Sequence, residues 1–312
     1  MADAAVMTTD GPVDPAALGL VLPHEHIFLD LTREYRGDGL LNDFDAAVGE
    51  LRDFADHGGG TIIDCTTRGL SPQHVQVAEA AKAAGVLVVL GTGFYRDPYL
   101  RPEWMDPTSV KALADELISE VDDGIDGTGV RAGIIGEIGS DRGFISAAEE
   151  RSFRAAGRAQ VATGLGLTTH AARWPVGHAQ LDLLAEEGVD PRCVIVGHCD
   201  TVPLPDYHVS IAERGAFVQF DTIRAGSKFD LECRVRWVRN LVDRGHAARI
   251  LLSHDVCLAS HLAVRGGSGY TLLMREFLPM LKAAGVSDEV IELITVHNPR
   301  RALLAERGTQ GE

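Results

Sequence analysis

Four histidines and two acids stand where their side chains can converge on a metal ion: His24, His26, Glu137, His170, His198 and Asp255. His24 and His26 flank a single residue in the string Leu22-Pro23-His24-Glu25-His26. In an extended segment, residues two apart project from the same face, so both imidazoles can reach one ion. Glu137 lies in Gly136-Glu137-Ile138-Gly139, His170 in Thr168-Thr169-His170, His198 in Gly197-His198-Cys199-Asp200, and Asp255 in Ser253-His254-Asp255. Imidazoles combined with carboxylates suit zinc or a similar transition metal rather than calcium or magnesium, which take mostly oxygen. Taken singly, each residue has an ordinary explanation: a solvated pair, a satisfied core histidine, the N-cap of a helix. Only their joint placement calls for a site.

That placement depends on the elements that carry the residues. Short apolar runs at 18–22, 61–65, 86–90, 131–135, 167–169, 193–196, 216–219 and 249–252 read as strands. They alternate with helical-period segments at 44–57, 73–84, 107–122, 147–163, 175–187, 206–214 and 229–244, then 270–284, 287–294 and 300–305. Glycine precedes several strands, at Gly60, Gly85, Gly166 and Gly215, which suits a helix C-cap. Eight strand-then-helix units predict an α/β fold, a single (β/α)8 TIM barrel. An open doubly wound sheet would place a ligand at the same carboxyl ends of the strands. The six candidate ligands fall just beyond strands one, four, five, six and eight, the face on which barrel enzymes build their sites. No Pro/Ser-rich linker or charge block divides the chain, so residues 1–312 are read as one domain: an N-terminal extension (1–17), the barrel (18–305) and a tail (306–312).

Composition narrows the function classes. The chain carries 45 acidic and 29 basic residues, a formal charge of -16, which argues against nucleic acid as a partner. Five cysteines, Cys65, Cys193, Cys199, Cys233 and Cys257, show no close pairing and fit a reducing cytoplasm. No leader opens the chain and no apolar run approaches membrane length, so the expected location is cytoplasmic, without membrane attachment.

The strings quoted above, together with Asn298-Pro299, resemble the phosphotriesterase family of the amidohydrolase superfamily, over about residues 19–303. By that resemblance His24, His26 and Asp255 hold a buried metal, His170 and His198 a more exposed one, and the ligand of the fourth strand bridges them. The best-known members bridge with a carboxylated lysine. Here the four lysines, Lys82, Lys111, Lys228 and Lys282, all lie elsewhere. Glu137 then supplies the bridge, as in the branch of phosphotriesterase homology and phosphotriesterase-related proteins. Gln219-Phe220-Asp221-Thr222, His261 and the run from Gly266-Gly267 to Tyr270 add to that likeness. The resemblance implies two divalent metal ions per chain, zinc being the expected identity, a small-molecule substrate and a homodimer.

The expected chemistry is hydrolysis by a hydroxide shared between two metals ~3.5–4 Å apart, with no serine or cysteine nucleophile. Asp255 is the expected proton acceptor, and His254 faces away as a structural residue. Tyr95, in Gly93-Phe94-Tyr95, resembles a tyrosine that lactonase-like relatives use near the substrate carbonyl; packing at the rim is its other reading. Arg224 and His261 are candidate substrate contacts, and the glycine-bearing loop 256–269 suits a mobile lid. Cys199 and Cys257 read as packing residues, and His57, His74, His178, His208, His246 and His297 as structural. A small carboxylic ester or lactone is the leading substrate. An amidase acting on N-acylated small acids, a weak phosphotriesterase and a non-catalytic metal-binding or ligand-binding barrel stay open.

Overall fold

The computed structural model describes residues 5–224 and 226–305, so the tail at 306–312 lies outside the described residues. Eight strands form the barrel wall: β1 (Leu20–Glu25), β2 (Gly59–Asp64), β3 (Leu87–Thr92), β4 (Ile134–Gly139), β5 (Leu167–His170), β6 (Val194–Gly197), β7 (Phe217–Phe220) and β8 (Ile250–Leu252). Each pairs in parallel with its neighbour in sequence, so the sheet order is the chain order. Parallel strands covered on both faces read as continuous apolar runs. Val21, Ile63, Val89, Ile134, Ile195, Phe217 and Leu251 fill the barrel interior. The alternate residues Leu22, Ile62, Val88, Ile135, Val194, Val218 and Ile250 pack outward against the helices.

Among the described residues, β8 meets β1 through side chains and one backbone contact rather than a ladder. The Asp255 N–H donates to the His24 carbonyl at 3.2 Å. The fully buried Glu25 carboxylate accepts from Ser253 Oγ, the His254 N–H and the Val256 N–H, each at 2.8 Å. His254 Nδ1 adds a contact of 3.0 Å to Glu25, while its Nε2 accepts from the Leu273 N–H at 2.9 Å, which fixes the proton on Nδ1. His254 is thus structural, as its place in the sequence suggests.

The helices α1 (Phe44–Asp56), α2 (His74–Ala84), α3 (Val110–Asp122), α4 (Ala147–Thr163), α5 (Gly177–Glu186), α6 (Pro205–Glu213) and α7 (Lys228–Asp243) follow the first seven strands. Four of the seven starts carry side-chain caps: Asp43 accepts from Ala46 N, Ser109 from Ala112 N, Ser227 from Asp230 N, and Ser146 with Glu149 forms a capping box. The segment after β8 runs through a π-turn (Leu273–Phe277) into α8 (Leu278–Ala283), and α9 (Asp288–Glu292) runs through a second (Leu293–His297) into α10 (Asn298–Leu303). Each π-turn ends two residues before a proline, Pro279 or Pro299, whose ring and missing N–H disrupt the regular ladder. At the amino-terminal end of the barrel, an antiparallel hairpin, Val6–Thr8 with Gly11–Val13, places Val6 beneath the interior core. No helix among the described residues is long and apolar enough to cross a membrane.

Candidate metal centre

The sequence ends the strands too early. β1 extends through Glu25, β4 continues to Gly139 and includes Glu137, and β5 ends on His170, so three of the six candidate ligands lie within regular strand and His26 directly follows one. His198 directly follows β6, and Asp255 stands three residues past β8. Two glycines allow the close strand spacing. A Cβ on Gly136, whose φ is 107°, would strike the Thr168 carbonyl, and one on Gly197 would strike the Thr169 carbonyl. His198 and Asp255 adopt left-handed backbone, at φ 55° and 53°, a conformation that costs non-glycine residues of order 1–3 kcal/mol and gathers at functional sites.

All six candidate ligands come together. Glu137 Oε2 lies 3.6 Å from His24 Nε2, 3.1 Å from His170 Nδ1 and 3.5 Å from His198 Nε2. Its other oxygen, Oε1, is 3.6 Å from His26 Nε2. Asp255 Oδ1 stands 3.4 Å from His26 Nε2 and 4.0 Å from His24 Nε2. Two of the groupings able to hold an ion, His24/His26/Glu137 and Glu137/His170/His198, share Glu137. A third, His24/His198/Asp221, lies on the far side of the rings. The Asp221 oxygens there already accept from the His198 N–H at 3.1 Å and from Gln219 Nε2 at 2.8 Å, so this carboxylate orients rings instead of facing the shared space.

The donor set fits cations. His24 Nε2 is buried without a hydrogen-bond partner among the described residues, an expensive state for a ring nitrogen. His170 Nδ1 faces His198 Nε2 at 2.8 Å, Glu137 Oε2 at 3.1 Å and the Tyr95 hydroxyl at 3.2 Å, more neighbours than one imidazole nitrogen can satisfy with a single proton or lone pair. The outward nitrogens are anchored. His26 Nδ1 meets Thr66 Oγ1 at 2.9 Å, and His24 Nδ1 and His198 Nδ1 face the Asp221 oxygens at 3.2 and 2.8 Å. Such outer partners fix ring orientation and ligand basicity.

The electrostatics follow the same geometry. Burial opposes charge on His198, but the Asp221 carboxylate outweighs it and holds the imidazole up to about 10. Burial and the neighbouring His198 press His170 down to about 4. Burial works against the Asp255 carboxylate, yet His26 and Arg224 draw it down to about 2. Glu137 is held well below the usual carboxylate range, the facing imidazoles overcoming its burial.

A pocket of about 310 Å³ opens over the cluster, and the remaining candidates line it. Tyr95 sits on its wall with its hydroxyl toward His170. Arg224 is turned inward: its Nη1 donates to the Asp255 carbonyl at 3.0 Å and meets His261 Nδ1 at 3.1 Å, and its Nη2 is 3.6 Å from Asp255 Oδ2. Burial and that guanidinium hold His261 down to about 4, leaving it a neutral acceptor. The 256–269 loop is folded and tied down rather than free. Asp38 accepts from the Ser260 N–H at 2.8 Å, and Glu50 accepts from the Val264 N–H at 3.0 Å. Sequence reading missed Arg96, which grips both Glu34 oxygens at 2.8 Å, pairs with Asp141, and lies over the rings of Tyr95 and Tyr99. It also gave no role to Asp221, which it met only within the string Gln219-Phe220-Asp221-Thr222, directly after the seventh strand.

Eight parallel strands with imidazoles and carboxylates gathered at their carboxyl ends define the class, a TIM barrel with a candidate dinuclear centre. The chain matches the model of the Phosphotriesterase family over residues 4–303, and it belongs to that family. It is 36% identical to the phosphotriesterase homology protein of Escherichia coli over 282 residues, covering 90% of this chain and 96% of that one. It is 30% identical to an N-acetyltaurine hydrolase of Dictyostelium discoideum, covering 84% of this chain and 74% of the relative. Among solved structures, a lactonase from Listeria monocytogenes superposes with a TM-score of 0.90 at 26% identity, covering 97% of this chain and all of that one.

Proposed function

We propose that this protein is a metal-dependent hydrolase of small carboxylic esters or lactones. The observation that carries the reading is the position of Glu137, one carboxylate facing four imidazoles through its two oxygens. His24, His26 and Asp255 would hold the inner cation, His170 and His198 the outer one, and Glu137 would bridge them. His170 suits the outer role, being the most exposed of the four imidazoles. When bound, two zinc or similar divalent ions supply Lewis acidity and bring the pKa of water toward neutrality. Asp255 accepts the proton of the attacking water and passes it to the leaving group, its carboxylate oriented by Arg224. Tyr95 offers its hydroxyl to the substrate oxygen, and His261 and Arg224 bound the side of the pocket away from it.

A second reading, an amidase acting on N-acylated small acids, draws on the N-acetyltaurine hydrolase relative. Weak phosphotriesterase activity is the third. The whole chain, 1–312, would act as one domain, in a reducing cytoplasm that suits five free cysteines, and as a homodimer, which light scattering tests.

Metal analysis followed by a screen of lactones, aryl esters, N-acyl amino acids and phosphate esters tests the reading. About two metals per chain are expected. Glu137→Gln should lose occupancy at both sites, and a fully loaded, active Glu137→Gln variant would sink the bridging role. Asp255→Asn should lower kcat far more than it weakens substrate binding.

A further inference from the structure

Of the three guanidiniums that line the pocket, two are engaged by its carboxylates. Glu34 and Asp141 are both taken by Arg96. Asp255 faces Arg224, and Glu137 faces the imidazoles. Arg173 also lines the pocket, on the loop after β5, three residues beyond His170. Among the described residues its guanidinium has no hydrogen bond or ion pair. Among the described residues the hydrogen bond of Arg173 is made by its backbone N–H, which donates to Thr201 Oγ1 at 2.7 Å. That hydroxyl in turn donates to the His198 carbonyl at 2.7 Å, tying the base of Arg173 to the loop that carries a candidate ligand. The Arg173 backbone is left-handed, at φ 69°. A long side chain held at such a φ is uncommon, and such strain persists where surrounding structure imposes it. The next residue, Trp174, is half-exposed, lies beside Gly143 and precedes Pro175. Arg173, exposed at the rim, thus brings to the pocket a guanidinium without an ion-pair partner among the described residues, on a tethered left-handed backbone.

We propose that Arg173 is a specificity-determining residue that binds a carboxylate or sulfonate carried by the substrate. Arg224 is already engaged with Asp255 and His261, which leaves Arg173 as the pocket guanidinium without an ion-pair partner among the described residues. The inference rests on the hydrolase reading and narrows it to acyl compounds with an acidic group at the end remote from the scissile bond. A planar guanidinium without a partner among the described residues can donate to such an oxyanion in bidentate fashion.

The test uses metal-loaded, full-length protein and two matched probes, 4-acetamidobenzoate and its neutral methyl ester, with binding measured by calorimetry. Wild type should bind the anion more tightly. Arg173→Gln should weaken the anion about tenfold and leave the ester unchanged, the size expected for one partly solvated charge-assisted contact. Arg173→Lys should restore part of the loss, and Arg173→Gly, which relieves the backbone without supplying charge, should not. Equal binding of the two probes by wild type, or equal weakening of both by Arg173→Gln, would overturn the proposal. Turnover of 4-acetoxybenzoate and its methyl ester is followed separately: Arg173→Gln should raise KM for the anion with kcat nearly constant. Charge-selective binding without turnover of any ester, lactone or amide would refute the hydrolase reading and leave Arg173 as an anion-binding residue.

Discussion

Asp221 touches no other carboxylate of the cluster, yet it holds the far nitrogens of both His24 and His198. Asp221→Asn keeps the shape but removes the charge that fixes which ring nitrogen carries the proton. Metal affinity should fall by about 10–100-fold, the usual effect of losing an outer carboxylate partner. Competition against a chromogenic chelator measures it, and an unchanged affinity would remove Asp221 from the design. The same pairing has a pH consequence. His198, held up to about 10 in the metal-free protein, carries a proton at neutral pH, whereas a metal takes only neutral imidazole. Affinity should therefore rise as pH rises toward 10, and loading at pH 7 should release protons. Calorimetric titration in two buffers of different ionisation heat detects the release; identical apparent heats would contradict it.

At the scale of elements, the seam between β8 and β1 makes the sharpest prediction. Glu25 collects four donors from the segment 253–256 in a fully buried setting. Glu25→Ala would strand those donors and should cost about 3 kcal/mol or more, read from urea denaturation. A loss under 1 kcal/mol would mean that the seam closes without it. The sequence made the number of strands and the ligand residues near their ends legible, because parallel buried strands leave uninterrupted apolar runs, but it left their order in the sheet open. It misplaced their ends for a physical reason. An apolar run stops at the first polar residue, but β1 and β4 continue through His24 and Glu137, which are polar because they face one another at the mouth. Loop contacts were harder to read. Arg96, with its grip on Glu34 and Asp141, joins residues that are distant in sequence, and no periodicity marks such a meeting. The expected lid at 256–269 failed to foresee Asp38 and Glu50 for the same reason: a glycine-bearing loop looks free until its anchors are known.

Across the whole molecule, two apolar layers divide the work. The inner layer, from Val21 round to Leu251 and closed below by Val6, is a solid plug, so the cluster rests on a packed floor. The outer layer locks the strands to the helices and so fixes the spacing of the strand ends. One consequence remains in the tripeptide His24-Glu25-His26, whose outer members face the cluster while the middle one fastens β8. A barrel is a hoop, and here the clasp of the hoop and two of the fingers proposed to hold a cation are the same three residues. Stripping the metal should accordingly slacken the ring at a single stave. In deuterium exchange the amides of 253–256 should brighten first on chelation, ahead of those in β5 and β6, and uniform exchange around the ring would show that clasp and fingers act apart.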